Sequence, residues 1–89
     1  MKTDINGFLS EITALRDSYV TAGNKGGARV AQQVLTLSEI YSKYDFPAVE
    51  FYGHLQDRLN GFAKIYEKYE TEERDANPVI LEVIQAYKG

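Results

Sequence analysis

Apolar residues recur three and four positions apart along nearly the whole chain, a spacing that gathers them on one stripe of an α-helix. Ile5, Phe8, Ile12, Leu15 and Tyr19 predict a first helix of about five turns. Gly23 suits the left-handed position that follows a helix C-terminus. Val30, Val34, Leu37, Tyr41 and Tyr44 set a second stripe, widened by Ala31, Leu35 and Ile40. Asp45-Phe46-Pro47 ends it, because proline disfavours helical geometry in the residue before it and is tolerated in the first turn of the next helix. The third stripe is the most regular: Tyr52, Leu55, Leu59, Phe62, Tyr66 and Tyr69. Asn60-Gly61 is a turn dipeptide elsewhere, yet the stripe keeps its phase across it, which favours one helix with a weak spot over a break there. Asn77-Pro78 reads as an N-cap followed by proline at the first helical position, opening a last helix of about three turns over residues 78–88. Its VILEVIQAY, residues 79–87, is apolar on most faces and must be covered on more than one side, as core, dimer interface or docking helix.

Four amphipathic helices joined by short connections predict an all-α fold, an antiparallel up-down four-helix bundle with a short C-terminal helix. Residues 1–89 form one domain, since chains split into separate cores only at greater length. At ~1.5 Å per residue the third helix runs about 35 Å and the fourth about 16 Å, so the fourth covers only half of its neighbour. The end left thin gathers Ile5, Phe8, Tyr41, Tyr44, Phe46, Phe51 and Tyr52.

Size and composition narrow the possibilities. A chain this short buries roughly 60% of the surface its unfolded form exposes, and self-association is one way to complete its core. With 44% hydrophobic and 26% charged residues it reads as globular, and zero cysteines exclude disulfides and thiolate metal sites. Asp4 and Glu11 interrupt the N-terminus where a signal peptide needs an apolar run, and no stretch is long enough to span a membrane. A cytoplasmic protein without direct membrane insertion is the expectation. The net charge of −3 comes from residues 46–89, where EKYETEERD, residues 67–75, holds five acids against two bases. No cluster of Lys and Arg displaces counterions from phosphates, so nucleic-acid binding is not expected. The acidic run reads as a solvated loop and helix end, with steering toward a basic protein as its alternative role.

Candidate chemistry is sparse. GNKGGAR, residues 23–29, has the glycines of a phosphate cradle, but a helix precedes it and alanine follows the last glycine, where a P-loop needs a strand before and Lys-Ser/Thr after. It reads as the turn of a helical hairpin, with Lys25 and Arg29 able to attract an anion at the second helix's N-terminus. His54 is the only histidine; Glu50 precedes it by four, but no second histidine completes a di-metal bundle site and no partner orients it for acid-base work. It is expected on a solvated face beside Asp57 or Arg58. No catalytic residue, metal or cofactor is expected, and the protein is expected not to be an enzyme. Seven tyrosines are the most unusual feature of the composition. Tyr41, Tyr44 and Tyr52, joined by Phe46 and Phe51, make the candidate partner-binding patch, because aromatic anchors dominate interface energetics.

The layout, with its long third helix through QDRLNGFAKIY and a terminal helix after NPV in a cysteine-free chain of 89 residues, resembles the immunity proteins against pediocin-like bacteriocins, the enterocin A immunity type. The resemblance lies in architecture and carries no functional residue across. It implies recognition of a bacteriocin-occupied membrane permease from the cytoplasmic side, without catalysis. The expected function is therefore that of a small helical binding protein, an immunity protein or similar inhibitor, with another protein as its partner. The alternative is an oligomer that binds a phosphorylated small molecule between protomers at Lys25 and Arg29.

Overall fold

A computed structural model describes residues 5–68 and 71–89. Four helices follow one another: α1 (Ile5–Thr21), α2 (Lys25–Tyr41), α3 (Ala48–Tyr66) and α4 (Glu72–Lys88). They form a four-helix bundle with alternating directions. Arg16 on α1 donates to Gln32 on α2 at 2.9 Å, and Lys88 at the end of α4 donates to Gln56 on α3 at 2.8 Å. The α1–α2 and α3–α4 pairs are accordingly antiparallel.

Phe8, Ile12, Val30, Ala31, Val34, Leu55, Leu59, Ile80 and Ile84 make the closed core, so the stripes of α1, α2 and α3 are read correctly at their centres, and the last helix is core along Ile80 and Ile84. On α2 the expected Val30, Ala31 and Val34 are buried, but the C-terminal half departs from the expected stripe: Ser38 is buried, its hydroxyl donating to the Val34 carbonyl at 2.7 Å, while Ile40 is exposed and Leu37 only half-buried. α2 also stops at Tyr41, so Tyr44 stands outside it, in the connection to α3. Helix α3 runs unbroken through Asn60-Gly61, as its phase predicts. Tyr69 lies outside the described residues.

The last helix corrects the reading of the sequence. It begins at Glu72, with Thr71 as N-cap: the Thr71 hydroxyl accepts from the Arg74 N–H at 3.3 Å. Glu72, Glu73 and Asp75 fill its first turn, where negative charge faces the positive end of the helix dipole. Part of the acidic run is thus helical, and α4 has 17 residues, as many as α1 and α2. Asn77 is no cap but a buried interior residue, whose amide makes no hydrogen bond among the described residues. Pro78 sits inside the helix and removes the bond that would reach the Arg74 carbonyl. Burial of Ala76, Ile80, Ile84 and Tyr87 carries the helix through this defect.

The end of the bundle expected to be thin is closed by aromatic rings. Where the N-termini of α1 and α3 meet the C-terminus of α4, rings close the core: Phe8 stands edge-on to Tyr52 at 5.1 Å and to Tyr87 at 5.3 Å between centroids. Phe51 stands at 6.5 Å and 89° to Phe8. Phe51 and Tyr52 are therefore core residues, 2% and 0% exposed, and do not contribute to a surface patch.

α2 contacts α4 far more than it contacts α3, although α3 follows it in the chain. The two close partners run parallel, since the start of α2 meets the start of α4: Gly26 lies against Glu72, and Arg29 against Glu73. The approach is close because Gly26 has no side chain; a Cβ there would lie 2.5 Å from the Cβ of Glu72. Gly27 performs the same service toward α1, where an added Cβ would lie 2.7 Å from the ring of Tyr19.

Candidate functional site

The glycine-rich segment is a helical hairpin turn. Gly23 takes φ of +75°, and the Asn24 side chain caps α2 by accepting from the Gly27 N–H at 2.7 Å. At an α-helix N-terminus the first N–H groups have no partner within the helix. Here Gly26 N–H donates to the Glu72 carboxylate at 3.0 Å, and Arg29 donates to Glu73 at 2.7 Å. Two carboxylates from α4 therefore occupy the place and the arginine that an external anion would use. Lys25 is exposed beside them.

The hydrogen bond from Arg29 holds the Glu73 carboxyl below the ordinary carboxylate range; desolvation opposes it, and the Thr71 hydroxyl assists. A depressed folded pKa gives stability that is fully present above the unfolded pKa and is lost as pH falls through the folded value. The Arg29 side chain is 66% exposed, so the pair contributes little, within the 0 to about 1 kcal/mol of surface pairs. Wild type should lose slightly more stability than Glu73→Gln on passing from neutral pH into the acid side of the carboxylate range. Urea midpoints of both proteins at the two pH values check this; equal losses would contradict it.

Rings gather at a second place, the corner between α2 and α3. Beyond the C-cap Ser42 the chain turns through residues 42–46, and Pro47 starts α3 from an extended φ and ψ of −57° and 151°. That path folds Phe46 back over the first turns of α3. Its ring lies 4.5 Å from the His54 ring, 5.5 Å from Tyr44 and 6.4 Å from Tyr41; Tyr41 in turn lies 5.4 Å from His54. Tyr41, Phe46 and His54 are half-buried, whereas Tyr44 is 60% exposed. Ile40, in the last turn of α2, and Val49, in the first turn of α3, are 45% and 46% exposed. Val20 and Ile65 are also exposed, but on the last turns of α1 and α3, at the other end of the bundle.

Of the five residues expected in a partner-binding patch, the structure brings Tyr41, Tyr44 and Phe46 together at this corner and places Phe51 and Tyr52 in the core. His54 belongs to the cluster too: it neighbours Asp57, as expected, but its ring is half-buried against Phe46 and Tyr41. The Arg58 guanidinium instead lies 6.0 Å from the centre of the Phe62 ring. No periodicity signals this role for His54, because Phe46, which covers it, lies outside any helix.

Two hollows complete the surface near these elements. Glu50, Gly53, His54 and Asp57 line a shallow depression of about 390 Å³ on the outer face of α3. Arg29, Gln32, Gln33, Thr36, Leu37 and Phe62 line a groove of about 350 Å³ between α2 and α3, opened by the preference of α2 for α4. Among the described residues no three His, Cys, Asp or Glu gather as a metal site, and no helix is long and apolar enough to cross a membrane. No protein-family model matches the chain, and neither does a curated protein or a solved structure.

Proposed function

We propose that this protein is a non-enzymatic helical binding module that engages another protein through the corner formed by Tyr41, Tyr44 and Phe46, with Ile40 and Val49 at its edges. One observation carries the reading. The bundle closes its own core with Phe8, Phe51, Tyr52 and Tyr87, and still leaves the Tyr44 ring largely open to solvent beside Phe46, with Ile40 and Val49 exposed on the helix turns before and after. Exposed apolar surface marks interaction sites where it is contiguous, and aromatic anchors supply most of the energy at such sites. Phe46 and Tyr41 are held in place by their contacts with His54, so little side-chain freedom remains to be lost on docking.

The architectural resemblance to pediocin-like immunity proteins gives this reading its specific form: a cytoplasmic protein whose corner contacts a bacteriocin-occupied permease. Expression in a strain sensitive to a pediocin-like bacteriocin tests that form. Cells carrying the wild-type chain should survive the bacteriocin, and cells carrying Tyr44→Ala/Phe46→Ala at equal protein level should die. Death of both would end the immunity form; survival of both would remove the corner from the mechanism.

A further inference from the structure

We infer that the partner's docking segment is a cationic amphipathic peptide, which sets an apolar side chain against Tyr44, Phe46 and Val49 and a lysine or arginine in the hollow between Glu50 and Asp57. The inference deepens the protein-contact reading and rests on it. Glu50, His54 and Asp57 are spaced four and three apart, so they share one face of α3. That face borders the aromatic corner directly, because His54 belongs to both: its ring packs on Phe46 and Tyr41, and it lines the hollow with the two carboxylates.

The charge around the corner is one-sided. Residues 39–57 contain Glu39, Asp45, Glu50 and Asp57 against the single base Lys43, an excess as large as the net charge of −3 of the whole chain. None of these carboxylates forms an ion pair among the described residues; the ion pairs present use Asp17, Glu73 and Asp75. The nearest arginine, Arg58, is directed to Phe62.

Three kinds of docking segment can be compared on this surface. An acidic one would meet four like charges offset by the single base Lys43, which costs affinity and slows encounter. A wholly apolar one would cover Glu50 and Asp57 and strip their water without replacing it. A cationic amphipathic one pairs with both carboxylates while its apolar face covers the rings. Only the third satisfies the rings and the charges together.

The test uses two synthetic amphipathic helices, each with leucines and one tryptophan on its apolar face. One carries lysines on the polar face and the other glutamates. The protein contains no tryptophan, so the emission reports the peptide alone. The lysine peptide should bind, and Glu50→Gln/Asp57→Asn should weaken it about tenfold or more, the scale of a lost pair of close charge contacts. Glu11→Gln/Glu82→Gln makes the same change in net charge on α1 and α4 and should leave binding within about twofold, as expected if pairing is local. Three outcomes would overturn the inference: no binding of the lysine peptide, equal binding of both peptides, or equal weakening by the two double variants. If Phe46→Ala still weakens both peptides alike in the second case, the corner remains a contact surface and only the cationic partner is lost. If neither peptide responds to Tyr44→Ala or Phe46→Ala, the contact reading falls with it.

Discussion

Replacing Gly26 with alanine will destabilise the protein by about 1–3 kcal/mol, the cost of overpacking a close contact. In most helices the same change helps by about 0.5–1 kcal/mol, because alanine loses less backbone freedom on folding. The sign reverses here because the new Cβ would lie 2.5 Å from the Cβ of Glu72, an atom fixed to the backbone of α4 that cannot swing aside. Relief requires the start of α4 to move, which pulls Glu72 off the Gly26 N–H and Glu73 off Arg29. Gly53 and Gly61 supply the internal control. An added Cβ at either meets nothing within 4 Å, so alanine there should stabilise by about 0.5–1 kcal/mol. Thermal unfolding of the three variants separates the cases: Gly26→Ala should melt below wild type, and Gly53→Ala and Gly61→Ala above it. A raised melting temperature for Gly26→Ala would mean that α2 and α4 do not meet as described.

Phe8→Ala will cost more, about 3–5 kcal/mol, the range for deleting a large buried ring. Phe8 is 0% exposed and its ring stands between Phe51, Tyr52 and Tyr87, joining α1 to α3 and α4 at the end of the bundle. Its removal leaves a cavity that three rigid rings cannot collapse to fill, and it forfeits edge-to-face contacts worth about 0.5–1.5 kcal/mol each. A loss of this size is a large fraction of the 5–15 kcal/mol that holds a typical domain together. Urea unfolding should show a midpoint far below wild type, or a protein already partly unfolded without denaturant. A loss below about 1 kcal/mol would place Phe8 outside the core.

The rhythm of apolar residues was enough to read four helices and their alternating course, because burial imposes one face on each helix. It was not enough to say which helices touch. Gly26 and Gly27 look like loop formers until α4 is seen lying across Gly26, a contact between residues 46 positions apart that no local pattern encodes. The start of α4 was misplaced because Asn77-Pro78 is the stronger local signal for a helix N-terminus than Thr71 followed by acids. Packing on both sides of Pro78 overrode that signal and put Asn77 in the interior. Phe51 and Tyr52 are covered by Phe8 on α1 and Tyr87 at the end of α4, contacts between distant segments that no local pattern encodes. Phe46 stands outside any helix for a reason the sequence does contain, since Pro47 disfavours helical geometry in the residue before it; the early end of α2 at Tyr41, which puts Tyr44 in the same connection, is not signalled locally.

Affinity capture with three tagged baits tests the central claim most directly. Wild type, Tyr44→Ala/Phe46→Ala and Val20→Ala/Ile65→Ala would each be exposed to the same cell extract after circular dichroism has shown equal helicity. Val20 and Ile65 are as exposed as Tyr44 but lie at the far end of the bundle, so they control for general stickiness. The account predicts that wild type and the far-end variant retain the same protein and that the corner variant loses it. Equal retention by all three baits, or loss with the far-end variant alone, would contradict it.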